Sequence, residues 1–294
     1  MKIYLAPPCA IHELGKRPNQ EDALWPPFGE ATAEDSLFVV CDGMGGHEHG
    51  EVASRLVAET MGRYGKTHPM PVPGDVDGWL KEALNEAYNQ LDLHDSPGES
   101  RKMGTTLTWV CFHRGGCTMA HIGDSRIYHI RPSEHRILYQ SRDHSLVMDL
   151  YLSGELKKEE MKNYSGRNII TRCMQPDQER RSKADVVHTT DLQAGDYFLL
   201  CSDGILEQLT EEDLLHLLAM DCTDEEKCKQ LAELTASHAD NHTAYLICIA
   251  KVETEPEDAD APNDEHQSRV NMVVIEQTMS AERPKKKWWQ LFVF

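Results

Sequence analysis

Apolar positions in this chain recur with two different periods. Runs that are apolar at nearly every position, or that alternate, fall at residues 36–41, 105–112, 117–122, 126–130, 136–139, 197–201 and 243–250. Their β-branched and aromatic content predicts strands. Gly115-Gly116 separates two of these runs and Gly123-Asp124-Ser125 the next two, turn chemistry that reads as antiparallel hairpins. Helical spacing appears at 51–64, 79–93, 211–218 and 224–238; in the second segment Leu80, Leu84, Ala87, Tyr88 and Leu91 return on one face. The two kinds of element do not alternate regularly. That argues against a doubly wound parallel sheet and predicts an α+β sandwich, antiparallel layers covered by helices.

With 294 residues, 40% hydrophobic and 27% charged, the chain can bury one large core or two smaller ones. A net charge of -19 disfavours nucleic acid or an anionic membrane as partner of the body, because both attract lysine and arginine. A protein or small-molecule substrate is favoured. The nine cysteines form no C-x-x-C pair, and Cys41, Cys111, Cys201 and Cys248 sit inside apolar runs. They read as buried thiols of a reducing compartment. Prolines, His12 and Glu13 interrupt the start, so no secretory signal is expected. Nor does any stretch reach the roughly 18 apolar residues of a membrane span. The expected location is the cytoplasm.

Composition changes after Lys251, where Glu253, Glu255, Glu257, Asp258, Asp260, Asp264 and Glu265 crowd a stretch that also holds Pro256 and Pro262. This predicts a folded domain over 1–252, a solvated acidic linker over 253–268 and a C-terminal segment over 269–294. The end reads Lys285-Lys-Lys-Trp-Trp-Gln-Leu-Phe-Val-Phe294. Three readings stand side by side: a frayed terminus, a docking peptide, and an interfacial membrane anchor of cations and aromatics.

The chemistry-bearing residues are aspartates beside glycines where strand-like runs end: Asp42-Gly43, Gly123-Asp124 and Asp203-Gly204. A single Asp-Gly pair ordinarily builds a turn. Three at strand ends, with Arg17, Glu21 and Asp22 upstream and Asp240-Asn241 downstream, supply a set of acidic ligands and a nearby arginine. Oxygen ligands of this kind suit hard divalent cations such as magnesium and manganese.

In this order the pieces resemble the metal-dependent phosphatase family called PP2C or PPM, over about residues 17–250. The elements are R-x-x-x-E-D at Arg17 to Asp22, D-G-M-G-G-H from Asp42, Gly104-Thr105-Thr106, I-G-D-S-R at 122–126, D-H-S at 143–145, N-x-x-T-R at 168–172, S-D-G-I at 202–205, and Asp240-Asn241. The resemblance implies two antiparallel sheets packed face to face, flanked by helices, with the metal centre at one end. It implies that Asp42 bridges two cations, Mn2+ or Mg2+, that Gly43 offers its carbonyl to one, and that Asp203 and Asp240 ligate the other. Glu21 and Asp22 are expected behind them, Arg17 on the phosphate, and Asp124 with Glu207 at a third cation. A water between two cations is acidified enough to attack phosphorus directly. The implied substrate is a phosphoseryl or phosphothreonyl protein, a serine/threonine kinase or its targets.

This chain has Met44 where eukaryotic members carry a histidine after the Asp-Gly pair, a feature bacterial members share. The leaving alcohol's proton must then come from a water or from a histidine elsewhere; His47 and His144 lie near in the motifs, each with a structural reading as well. Glu207 stands where aspartate is usual, and Gln175 where glycine is common. Residues 145–167, of mixed charge, correspond to the variable flap of the family and read either as a substrate-facing surface or as a solvated helix. A non-catalytic scaffold with the same fold would lack one of the ligands, and Arg17, Asp42, Asp203 and Asp240 are all present.

Overall fold

A computed structural model describes residues 1–44, 49–70, 74–95, 102–206, 209–236 and 239–254. The chain opens with strands β1 (Lys2–Leu5), β2 (Cys9–Glu13), β3 (Asp22–Trp25) and β4 (Leu37–Met44), followed by helices α1 (Gly50–Thr67) and α2 (Val76–Leu93). Strands β5 (Gly104–Thr105), β6 (Leu107–His113), β7 (Gly116–Ile122), β8 (Arg126–Arg131) and β9 (Arg136–Gln140) come next, then short helices α3 (Leu146–Leu152) and α4 (Lys158–Met161). The remainder is β10 (Asp185–Thr189), β11 (Tyr197–Cys201), α5 (Asp203–Leu206), α6 (Glu211–Leu218), α7 (Asp224–Thr235) and β12 (His242–Glu253).

These strands make two antiparallel sheets. One runs β1-β12-β11-β8-β9 with β2 also on β12; the other runs β10-β7-β6-β4-β3 with β5 on β4. Alternation along each strand explains why so many runs are apolar throughout. On β4, Phe38 and Val40 point into the space between the sheets, where they meet Val110, Met119, Phe198, Leu200 and Tyr245. Their neighbours Val39 and Cys41 face the other way, against Ala53, Val57 and Met61 of α1 and Ala83 and Ala87 of α2. The first sheet does the same: Leu199 and Cys201 of β11 pack outward on Leu214, Leu218 and Leu231 of α6 and α7. Strands covered on both faces have no solvent side to mark with polar residues. The result is four layers, helix, sheet, sheet, helix, the sandwich the sequence predicts.

Element starts follow capping chemistry. Thr210 with Asp213, and Thr223 with Glu226, form reciprocal capping boxes at α6 and α7, so the predicted starts at 211 and 224 hold. The second predicted helix begins three residues earlier than expected, because the Asp75 side chain accepts from the Gly78 N–H at 2.7 Å. One hairpin expectation is corrected. Gly115 and Gly116 do join β6 to β7 within a sheet, but Gly123-Asp124-Ser125 carries the chain from β7 in one sheet to β8 in the other. The expected run 105–112 is likewise divided, at Thr106, into β5 and β6. Strands β1, β2, β3 and β10 had no counterpart in the predicted pattern; they are short and most hold polar or half-exposed positions. The acidic linker beyond Thr254 and the basic, aromatic end lie outside the described residues. Among the described residues no helix is long and apolar enough to cross a membrane. All nine cysteines are free thiols.

A buried ion cluster ties β8 to the turn before β11. Asp196, fully buried, accepts from Arg131 Nε and Nη2, both at 2.9 Å, and lies 3.0 Å from His129 Nε2. Burial works against its charge, but Arg131 and His129 outweigh it and hold the carboxyl below its ordinary value. Removing one member of such a cluster leaves an uncompensated charge inside. Asp196→Ala is expected to lower unfolding free energy in urea at neutral pH by about 3–5 kcal/mol. Because the acid is depressed in the folded state, the gap from wild type should close as pH falls below the ordinary value of 3.8.

Candidate metal centre

One end of the sandwich gathers the acidic residues, and each arrives by a local device. Asp42 lies on β4 directly opposite Asp22 on β3. The Asp42 N–H donates to Thr106 Oγ1 at 2.9 Å and its carbonyl accepts from Thr106 N at 2.9 Å and Thr105 Oγ1 at 3.0 Å. Asp22 is buried, with its carboxylate accepting from the Ser202 hydroxyl at 2.8 Å. Asp203 begins α5 one residue beyond the end of β11, after Ser202, and Asp240 immediately precedes the Asn241–His242 entry to β12. Asp124 occupies the crossing between sheets, with its Oδ1 buried and unpartnered.

Two glycines make the crowding possible. A Cβ on Gly43 would lie 2.2 Å from the Gly50 carbonyl oxygen and 2.4 Å from that of Glu21. The Gly43 N–H donates to the same Glu21 carbonyl at 3.1 Å, so strand end, helix start and Glu21 loop meet through backbone alone. At Gly204 a Cβ would fall 2.1 Å from the Asn241 carbonyl oxygen, which sets the approach of α5 to the start of β12.

Arg17 is exposed beside this cluster and donates from Nη2 to Asp240 Oδ2 at 2.6 Å. Asn241 positions the loop that carries it. Its Nδ2 donates to the carbonyls of Leu14 at 2.9 Å and Asn19 at 3.0 Å, while its Oδ1 accepts from the Glu21 N–H at 2.8 Å. Among sequence expectations Asn241 was only a motif letter, and Ser202 likewise; buried polar side chains that bond backbone leave no periodic signal.

Electrostatics mark the site. Burial first, then the charges of Asp22, Asp203, Asp124 and Asp240, drive Asp42 well above the ordinary carboxyl range. Asp22 is pushed up to about 7 by burial, against the opposing hydroxyls of Ser202 and Thr243. Asp124 also rises to about 7, through burial and then Asp203 and Asp143. Glu21 is raised by burial, with Arg17 opposing. Like charges held this close by rigid strands cannot all ionise without a counter-charge. An orphaned buried carboxylate oxygen on Asp124 and an all-oxygen donor set fit a hard divalent cation.

The other predicted residues fall as follows. Glu207 and His47 lie outside the described residues. His144 is buried with both ring nitrogens engaged: Nδ1 accepts from the Gly123 N–H at 3.0 Å, and Nε2 lies 3.2 Å from Asp185 Oδ2. It therefore holds the Gly123-Asp124 crossing, the structural of its two expected roles. Arg126, two residues past Asp124, forks onto both oxygens of Asp143 at 2.6 and 2.7 Å, a brace the sequence reading did not assign.

The family model for protein phosphatase 2C matches residues 11–236. The chain belongs to the protein phosphatase 2C family. Among curated relatives, the protein phosphatase PhpP of Streptococcus pneumoniae is 31% identical over 226 residues, 75% of this chain and 88% of that protein. The crystal structure of the Mycobacterium tuberculosis serine/threonine phosphatase PstP/Ppp superposes with a TM-score of 0.69 at 29% identity, over 84% of this chain and 100% of the other. A structure of the catalytic domain of the serine threonine protein phosphatase PstP in complex with two manganese ions matches at TM-score 0.68 and 28% identity, over 85% of this chain and 100% of that one. Two sheets with flanking helices are thus common to this chain and its family neighbours.

A prediction follows for the cation-free protein. Asp22 and Asp124 have folded values near 7 against an ordinary 3.8, so they favour the folded state when protonated. Their contribution is present in full below 3.8 and is lost as pH rises toward 7. In chelator the melting temperature should fall between pH 5 and about pH 8, and added manganese should restore most at the upper end. A chelated protein equally stable at both pH values would contradict this account of the cluster.

Proposed function

We propose that this chain is a metal-dependent protein serine/threonine phosphatase that hydrolyses phosphoserine and phosphothreonine esters with water. The observation that carries the reading is the meeting of Asp42, Asp203, Asp240, Asp22 and Asp124 beside Arg17 at one end of the sandwich. Asp42, the Gly43 carbonyl, Asp203 and Asp240 would hold two cations, manganese or magnesium, and Asp124 with Glu207 a third. Two such cations acidify a water and neutralise the phosphate oxygens as charge moves toward the leaving alcohol.

The chain's own residues then do three things. Arg17 presents a planar donor fork to the phosphate, and an incoming phosphate dianion competes with Asp240 for it. Glu21 and Asp22 would stand behind the ligands, where their oxygens would accept hydrogen bonds from waters held by the cations. Thr106, Ser202 and Asn241 keep the acidic residues in place through bonds that do not involve substrate. His144 donates no proton to the leaving group, since its two nitrogens serve Gly123 and Asp185.

The substrate is a phosphorylated protein, a serine/threonine kinase or one of its targets, met in the cytoplasm. Helices α3 and α4 expose much of their surface within the segment expected as the flap, a surface open to substrate as well as to solvent. The basic, aromatic end is a candidate for docking or for peripheral membrane contact.

Release of inorganic phosphate from a phosphothreonine peptide tests this. It should require manganese or magnesium and vanish in chelator and in Asp42→Ala. Asp203→Asn should lose turnover while keeping its circular dichroism spectrum, because the side chain leaves the sheet rather than filling the core. Arg17→Lys should lower kcat/KM roughly 10- to 100-fold, the loss of a charge-assisted fork. Full turnover in Asp203→Asn, or release that persists in chelator, would overturn the assignment.

A further inference from the structure

We propose that Cys9 and Cys228 are a reversible thiol–disulfide pair, oxidised by hydroperoxides to a bond that ties β2 to α7. Both thiols line one surface pocket of about 220 Å3, together with Ile11, Phe28, Glu225 and Lys229. Cys9 packs against the apolar cluster that holds Cys228, and both are free thiols. Cys9 is half-buried and within reach of solvent, whereas Cys228 is 8% exposed and lies behind it. An accessible sulfur with a sheltered neighbour is the arrangement of an attacking and a resolving thiol.

The other buried thiols differ. Burial pushes Cys111 and Cys201 up to about 12 on closed strand faces. Cys9 is instead lowered by its neighbour Cys228, although burial, Asp224 and Glu225 oppose this. It is the thiolate-prone member; Cys228 is raised by Cys9 and by burial.

The steps balance. The Cys9 sulfur attacks a peroxide oxygen, the O–O bond breaks, and the departing oxygen takes a proton and leaves as water or an alcohol. Cys9 then carries a sulfenic acid. The Cys228 sulfur attacks the Cys9 sulfur, the S–O bond breaks, and the hydroxyl leaves as water with the Cys228 proton. Two thiols lose two electrons in all, and the O–O bond gains them; a dithiol reverses the reaction by exchange.

Position gives the pair its meaning. β2 leads into the loop of Arg17, and α7 leads toward Asp240. The two limbs meet again past the cysteines, where Lys16 N donates to the Ala239 carbonyl at 3.2 Å and Asn241 Nδ2 to the Leu14 carbonyl at 2.9 Å. A disulfide would pin these limbs at their far ends.

The full-length protein is treated with hydrogen peroxide, its remaining thiols are alkylated, and it is digested without reduction for mass spectrometry. The expected product is a peptide pair linked through Cys9 and Cys228, formed at a rate independent of protein concentration and lost on dithiothreitol. The oxidised chain should melt several degrees higher than the reduced one, a gain absent in Cys9→Ser. Both thiols still alkylatable after peroxide, or Cys9 ending as a sulfinic acid or bonded to another cysteine, would overturn the proposal. Because the first readout uses the wild-type chain, a Cys9→Ser variant that fails to fold would not shield the proposal.

Discussion

Carboxylates forced together by strands too rigid to let them part govern one whole end of this molecule. Asp42 and Asp22 face each other across a β ladder, and neither can retreat without breaking pairing that also holds Val39 and Val40 in their two cores. Much of the surrounding structure answers that constraint. Ser202 donates to Asp22, Thr106 fixes the Asp42 backbone, and Arg126 forks onto Asp143 to quiet one neighbouring charge. What the protein itself does not supply is enough positive charge, and that deficit is the affinity of the site for cations.

Much of this could be read from the sequence where a residue's role is local. Strand ends marked by aspartate and glycine, and helix starts marked by threonine boxes, depend on neighbours within a few positions, so Asp42, Asp124, Asp203 and the starts of α6 and α7 were legible. β2 and β3 were not, because their order comes from partners far away: β2 rests on β12 and β3 on β4, and their own residues mix polar with apolar. Asn241 was unassigned, and His144 was left between two roles, for a related reason. Each satisfies backbone groups brought near only by the fold, Leu14 and Asn19 for one and Gly123 for the other. The crossing at Gly123-Asp124-Ser125 shows the limit from the other side. Its turn residues read correctly as a turn, but the choice between returning in the same sheet and leaving for the next belongs to the packing of Ile122 and Ile127 into different cores.

Strand β12 has a further consequence. Its twelve residues pair with β11 along one side and with β1 and β2 along the other, so the first and last stretches of the folded part complete one sheet together. Arg17 and Asp240, bonded across 223 positions, are the chemical outcome of that closure. During synthesis the ribosome must finish nearly the whole domain before the strand that seats the amino-terminal segment exists. Contacts of such long range are made late and slowly. A nascent or truncated chain therefore keeps Asp240 apart from Arg17 and from the paired Asp22 and Asp42, and competence to act on phosphate begins only with the domain's completion, a timing control written into the order of the strands.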